Sequence, residues 1–247
     1  MAEGPQVKRT TEWLQRQLAG RKLLSYNTSR DDLSVLKLRD RRVVRAFCKG
    51  KQIFLEIEGQ LFIHNHLLMR GRWKRFEGQL LLPPSDAWLA LYVGPYTVCN
   101  LRGQMLRIIG WDEAQEQLSR LGPDVMAERY PVREIETRLR SSVLPIAEAL
   151  LDQRLVAGVG NIAKSEILFT AAVAPNVTAS ALDDSRMARL LGAIRETLWR
   201  SYHEGGRWQC SVYRKWRQPC PRCGNRLERV ELSPSRRKTY FCPHCQQ

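Results

Sequence analysis

Four cysteines near the C-terminus constrain this chain more than any other feature. Cys220-x2-Cys223 and Cys242-x2-Cys245 are separated by eighteen residues. Paired thiolates at this spacing each supply two adjacent corners of a tetrahedron, which points to one structural zinc ion. A redox dithiol would need only one such pair. A segment as short as 212–247 buries too little apolar surface to fold alone, so the metal is expected to supply much of its stability. Between the pairs, Leu227–Leu232 and Thr239–Phe241 are predicted to form a hairpin. The segment carries nine lysines and arginines against Glu228 and Glu231. The other cysteines, Cys48, Cys99 and Cys210, read most simply as small buried hydrophobes.

That basic segment belongs to a chain with net charge +15 and a pI near 9.9. Such a balance calls for a polyanionic partner, nucleic acid ahead of a membrane surface. No run of eighteen apolar residues occurs, and the N-terminus lacks the layout of a signal peptide. The expectation is a cytoplasmic, nucleoid-associated monomer.

Upstream, residues 4–19 read as a helix, with Pro5 in its first turn, Val7, Leu14 and Leu18 on one side and Gly20 as the stop. From about Leu33 to Ile109 short strands are expected. Val43–Cys48, Ile53–Glu58, Leu61–His66, Ala87–Val93 and Thr97–Leu101 alternate with glycine and proline turns, the pattern of an antiparallel sandwich. Lys51 falls at a hairpin tip, and His66–Trp73 reads as a basic loop containing Met69. His64 and His66 lack a third partner and read as hydrogen-bonded structure rather than metal ligands. Gly110–Pro131 reads as a polar connector. From Val132 to about Glu204 the periodicity is helical, with an Asp183-Asp184 cap before the stripe Met187, Leu190, Leu191, Ile194 and Leu198.

Within that helical part, Leu150–Glu166 (LLDQRLVAGVGNIAKSE) is a helical run, a Gly158-Val159-Gly160 turn and a second helix. Asn161 is expected to cap the second helix. A glycine turn feeding a helix offers unpaired N–H groups to an anion, here expected to be a phosphate.

The pattern Gln153-x4-Gly158-Val159-Gly160-Asn161-Ile162-x3-Glu166 resembles the helix–two-turn–helix signature of the Fpg/Nei DNA glycosylase family. Met1-Ala2-Glu3, His66–Gly71, Gly122-Pro123-Asp124 and the C-terminal cysteines extend the resemblance over nearly the whole chain. It implies an α+β multidomain fold: an N-terminal β-sandwich with a leading helix (1–112), a linker (113–131), a helix–two-turn–helix domain (132–211) and a zinc-finger hairpin (212–247). It also implies double-stranded damaged DNA as partner, with the damaged nucleotide flipped out because C1′ of a stacked nucleotide is inaccessible. Lys51, Asn161 and Arg237 match the family's phosphate contacts, and Met69 the residue that fills the vacated stack.

By the same resemblance, catalysis falls to Ala2, Glu3 and Lys51. The family usually starts Pro-Glu after Met1 is removed, and the proline amine attacks C1′. Here position 2 is alanine, and Gln6 stands where glutamate is common. The short Trp208–Val212 segment, Gly71-Arg72-Trp73 and the absence of an Arg-Arg-Phe-Gly segment (Asn100–Gly103 is nearest) look Nei-like. The expectation is a glycosylase with AP-lyase activity on oxidised pyrimidines. One rival is a damage-binding protein weakened in chemistry by Ala2; another is a zinc-ribbon nucleic-acid binder with a merely structural N-terminus.

Overall fold

In the computed structural model, residues 2–30 and 38–247 are described. Met1 and the expected start of the strand region at Leu33 lie outside them. The chain divides into two units, one made of Ala2 and Val7–Arg120, the other of Glu3–Gln6 and Leu121–Gln247.

The first unit takes most of helix α1 (Gly4–Leu18), which stops at Gly20 with φ 76°. Two four-stranded antiparallel sheets follow. One has the order β1 (Ser25–Thr28), β6 (Ala87–Tyr92), β7 (Tyr96–Leu101), β5 (Arg72–Glu77). The other runs β2 (Val43–Lys49), β3 (Gln52–Ile57), β4 (Leu61–His66), β8 (Met105–Gly110). Their inward residues form one core with α1: Val7, Leu14 and Leu18 pack with Ile53, Leu55 and Ile63 and with Leu89, Leu91 and Val98. This is the expected sandwich.

Three strands, β1, β5 and β8, escaped the sequence reading. The expected basic loop His66–Trp73 runs into β5 (RWKRFE). Its exposed face is charged, and only Trp73 is buried among its six residues. The polar stretch after Gly110 contains helix α2 (Trp111–Ser119), whose Ala114 packs on Phe54, Phe62 and Ile109.

The second unit packs α3 (Val132–Arg140), α4 (Ile146–Ala149), α5 (Asn161–Ala171) and α6 (Asp184–His203) around an apolar core. The helical run expected before the glycine turn is shorter than its periodicity suggested, four residues followed by turns. Asp183 caps α6, accepting Arg186 N–H at 2.8 Å, and the expected stripe is buried. Strands β9 (Glu228–Glu231) and β10 (Lys238–Phe241) form the C-terminal hairpin, with Leu227, Val212 and Phe169 packed among the cysteines.

Candidate DNA-facing sites in the two units

The glycine turn is held by the residues that define its sequence pattern. Gln153 accepts Gly158 N–H at 3.0 Å and donates to the carbonyls of Leu151 (2.8 Å) and Val159 (3.0 Å). Gly158 takes φ 112°, a conformation that favours glycine. Gly122-Pro123-Asp124 runs beside the turn, through Gly122 N–H to Gln153 O and Ala157 N–H to Pro123 O. Midway along α5, both Glu166 oxygens are engaged by the amides of Ser211, Val212 and Tyr213 at 2.7–3.0 Å.

Two expectations about this turn are corrected. The cap of α5 is Gly160, and Asn161 is the first helical residue. The anion on the helix N-terminus is the protein's own Glu3 rather than a phosphate. Its carboxylate accepts Ile162 N–H at 2.8 Å and Ala163 N–H at 3.0 Å, fully buried. The charge still satisfies the helix end as the physics requires; sequence reading missed it because Glu3 lies more than 150 residues away. Gly160 is needed beside it, since a Cβ there would overlap the Glu3 carboxylate.

Gln6 supports the same residue from behind. Its Oε1 accepts Glu3 N–H at 2.9 Å while its Nε2 donates to the Gly206 carbonyl. An ionised glutamate could make only the first of these contacts.

Asn161 is buried, with Nδ2 donating to Lys238 O at 3.2 Å and Oδ1 accepting Lys164 Nζ at 2.8 Å. Arg237 is exposed on the connection entering β10, where its N–H donates to Ser235 Oγ at 3.2 Å. Glu148 of α4 secures that connection, accepting Ser235 N–H and Oγ–H at 2.8 Å each. Asn161 and Arg237 therefore share one structural neighbourhood. The residues that organise it, Lys164 and Glu148, were not singled out from sequence. The available signal was a lysine and a glutamate inside otherwise apolar helical stretches.

In the first unit, Ala2 N–H donates to Leu68 O at 3.0 Å. Leu68 has φ 48°, and its N–H donates to His66 Nδ1 at 2.9 Å. Gly71 closes this turn with its N–H on Leu67 O; a Cβ at 71 would meet that oxygen at 2.7 Å. Met69 stands at the tip, 57% exposed, with its own N–H held by Gln104 Oε1. It is not the core residue that its type alone would suggest. Lys51 follows Gly50 in the β2–β3 turn, and burial, helped by the Lys51 charge, holds His66 down at about 4. His64 is lowered to about 4 as well, first by burial and then by Arg107; its Nε2 bonds Gln52 and its ring stacks on Phe54.

The four C-terminal cysteine sulfurs lie within 4.8 Å of one another. Cys220 and Cys245 are 3.9 Å apart, and Cys223 and Cys242 3.5 Å. A tetrahedral ion with Zn–S of about 2.3 Å sets its sulfurs about 3.8 Å apart, so the donor set fits one structural zinc. Cys99 is buried as expected, whereas Cys48 and Cys210 are only half-buried.

Comparison with known proteins agrees with these parts. The formamidopyrimidine-DNA glycosylase N-terminal domain matches residues 1–97, the formamidopyrimidine-DNA glycosylase H2TH domain 121–210, and the zinc finger found in FPG and IleRS 217–247. A probable endonuclease 8 2 of Streptomyces coelicolor is 32% identical, covering 100% of this chain and 94% of its own length. A formamidopyrimidine-DNA glycosylase of Desulfitobacterium hafniense is 32% identical over 80% of this chain and 79% of its own. Lactococcus lactis Fpg non-covalently bound to AP-site DNA superposes with a TM-score of 0.86 at 25% identity, covering all of both chains. The chain belongs to the formamidopyrimidine-DNA glycosylase/endonuclease 8 family of DNA-repair glycosylases.

Proposed function

We propose that this protein is an endonuclease 8-like glycosylase with AP-lyase activity, acting on oxidised pyrimidines and abasic sites in duplex DNA. The observation that carries the reading is the seating of Glu3. The residue next to the nucleophile position has both carboxylate oxygens on main-chain amides of α5. That arrangement suits the ionised carboxylate, and so the base half of an acid–base role.

With Met1 removed, Ala2 presents a primary α-amine of reference pKa about 7.7–8.0. Its neutral form attacks C1′ and the base departs with the glycosidic electron pair. Glu3 takes the proton the amine loses on attack and returns it to the sugar ring oxygen, which leaves as a hydroxyl to give an imine. Protonated, that imine is the electron sink for β-elimination of the 3′ phosphate. Proline's iminium is permanently cationic, whereas alanine's imine must hold a proton. Ala2 therefore supports base release and Schiff-base formation but slows strand cleavage, increasingly so as pH rises.

In this reading Lys51, Asn161 and Arg237 hold phosphates and Met69 fills the vacated stack. The pyrimidine preference is supported by the short chain between Gly206 and Val212 and by Asn100–Gly103. In the latter, Asn100 and Leu101 are buried in β7 and Arg102 is paired with Asp86 at 2.9 Å, so the segment is built into the sandwich. Endonuclease 8 relatives favour the same subtype.

Borohydride trapping on abasic duplex tests the proposal, with the processed N-terminus verified by intact mass. A covalent adduct is expected at pH 6–8, spanning the reference amine pKa. Ala2→Pro should accelerate cleavage more than base release. No adduct at any pH in that range would replace this reading by a damage-binding protein without lyase chemistry, the alternative that Ala2 favours.

A further inference from the structure

Lys164 has no accessible surface, yet it is a lysine in the second turn of the helix that carries Asn161. Its Nζ donates to Asn161 Oδ1 at 2.8 Å and faces the carbonyl oxygens of Arg237 and Lys238 at 3.5 Å each. We propose that Lys164 is a positioning residue for DNA binding: its ammonium fixes the Asn161 amide and the chain at Arg237 as one preformed phosphate-binding unit. The proposal rests on the DNA-binding reading above.

An ammonium can only donate, so the amide oxygen of Asn161 must turn toward it and the NH2 group away. One N–H of that group meets Lys238 O, and the second is left for an incoming acceptor. The same ammonium gathers two successive carbonyls of the hairpin strand. The geometry of Asn161 and the course of the chain at Arg237 are thereby set by one atom before any DNA arrives. Preorganisation of this kind raises affinity by removing the cost of ordering the groups on binding.

The arrangement is costly to the fold. Burial pushes Lys164 down to about 8, against the favourable charges of Glu148 and Glu3 and with the unfavourable charge of Arg237. A buried charge kept at such expense is characteristic of a functional site. Both carboxylates have donors of their own, Ser235 for Glu148 and the α5 amides for Glu3. Removing the lysine therefore leaves neither carboxylate stranded, and the cost of an apolar replacement falls on the Asn161 amide oxygen it leaves without a donor.

The test is a double-mutant cycle with Lys164→Met and Asn161→Ala on a duplex containing a tetrahydrofuran abasic analogue. Zinc content and thermal midpoint are measured for each variant. Lys164→Met should stay folded with its zinc while Kd rises about tenfold, the size of one lost charge-assisted hydrogen bond. The double variant should lose less affinity than the two single losses combined, because Lys164 acts in part through that amide. Additive losses, or wild-type affinity in Lys164→Met, would overturn the proposal. Should Lys164→Met not fold, Lys164→Gln carries the cycle, and failure of both to fold would mark the lysine as purely structural and overturn it too. Wild-type protein that does not retain the duplex would instead remove the DNA-binding reading itself.

Discussion

The Glu3 carboxylate occupies the space that a side chain at Gly160 would need. Gly160 has an ordinary extended backbone, φ −119°, so the requirement for glycine there is steric and not conformational. Gly160→Ala should therefore fold but push Glu3 off the amides of Ile162 and Ala163. Base release under single-turnover conditions should fall about 100-fold, the scale of an ångström-sized misplacement of a reacting group, while duplex affinity changes little. Comparable loss of affinity would show that Glu3 orders the DNA-contacting turn instead.

Gln6→Glu replaces the amide nitrogen by an oxygen and removes its donor. The Glu3 amide keeps an acceptor, but the Gly206 carbonyl now faces a carboxylate oxygen. The segment after α6 should loosen, read as faster amide exchange over 204–210, and base release should drop about tenfold. Unchanged exchange there would mean that Gly206 does not depend on Gln6.

The proposed phosphate contacts are separable by salt dependence. Lys51→Ala and Arg237→Ala should weaken binding to damaged and intact duplex by similar factors, each reducing the slope of log K against log salt by about one unit. Asn161→Ala should lose affinity with the slope unchanged, having no charge to remove. An effect confined to one lesion would place these side chains against a base.

Chelation, or Cys220→Ser, should release one zinc ion per chain and lower duplex affinity by about tenfold or more, since β9 and β10 have only a small apolar cluster to hold them otherwise. Folded, DNA-binding protein with no metal would contradict this.

Acid should unfold the sandwich unit through its histidines. His64 and His66 sit at about 4 against an ordinary 6.5, so between those values the unfolded chain binds more protons than the folded one. Stability is full above pH 6.5, falls as pH drops toward 4, and levels off below. Each histidine accounts for at most about 3 kcal/mol of that loss. His64→Gln should flatten the decline in an acid titration followed by circular dichroism.

Sequence made legible what is carried by local pattern or by strong chemistry. The four cysteines, the α6 stripe behind Asp183, and the strands from Val43 to His66 all signal themselves within a few residues. Met69 stands exposed and Lys51 half-buried, both at turns. What sequence concealed was pairing at a distance. Nothing near Gly160 announces that Glu3 fills the helix end, and nothing near Lys164 announces the carbonyls of Arg237 and Lys238. β5 was hidden differently: an edge strand with one buried residue in six has almost no apolar alternation to detect.

The chain between α6 and the zinc hairpin is fastened at both ends by unrelated residues. Gln6 holds Gly206, and Glu166 holds Ser211 through Tyr213. Only Arg207–Cys210 span the interval. Within it Trp208 packs against the core of the second unit, and lengthening the chain beside that residue is cheap: doubling the interval costs only about 0.6 kcal/mol in closure entropy. A longer insert grafted there would leave both anchors in place.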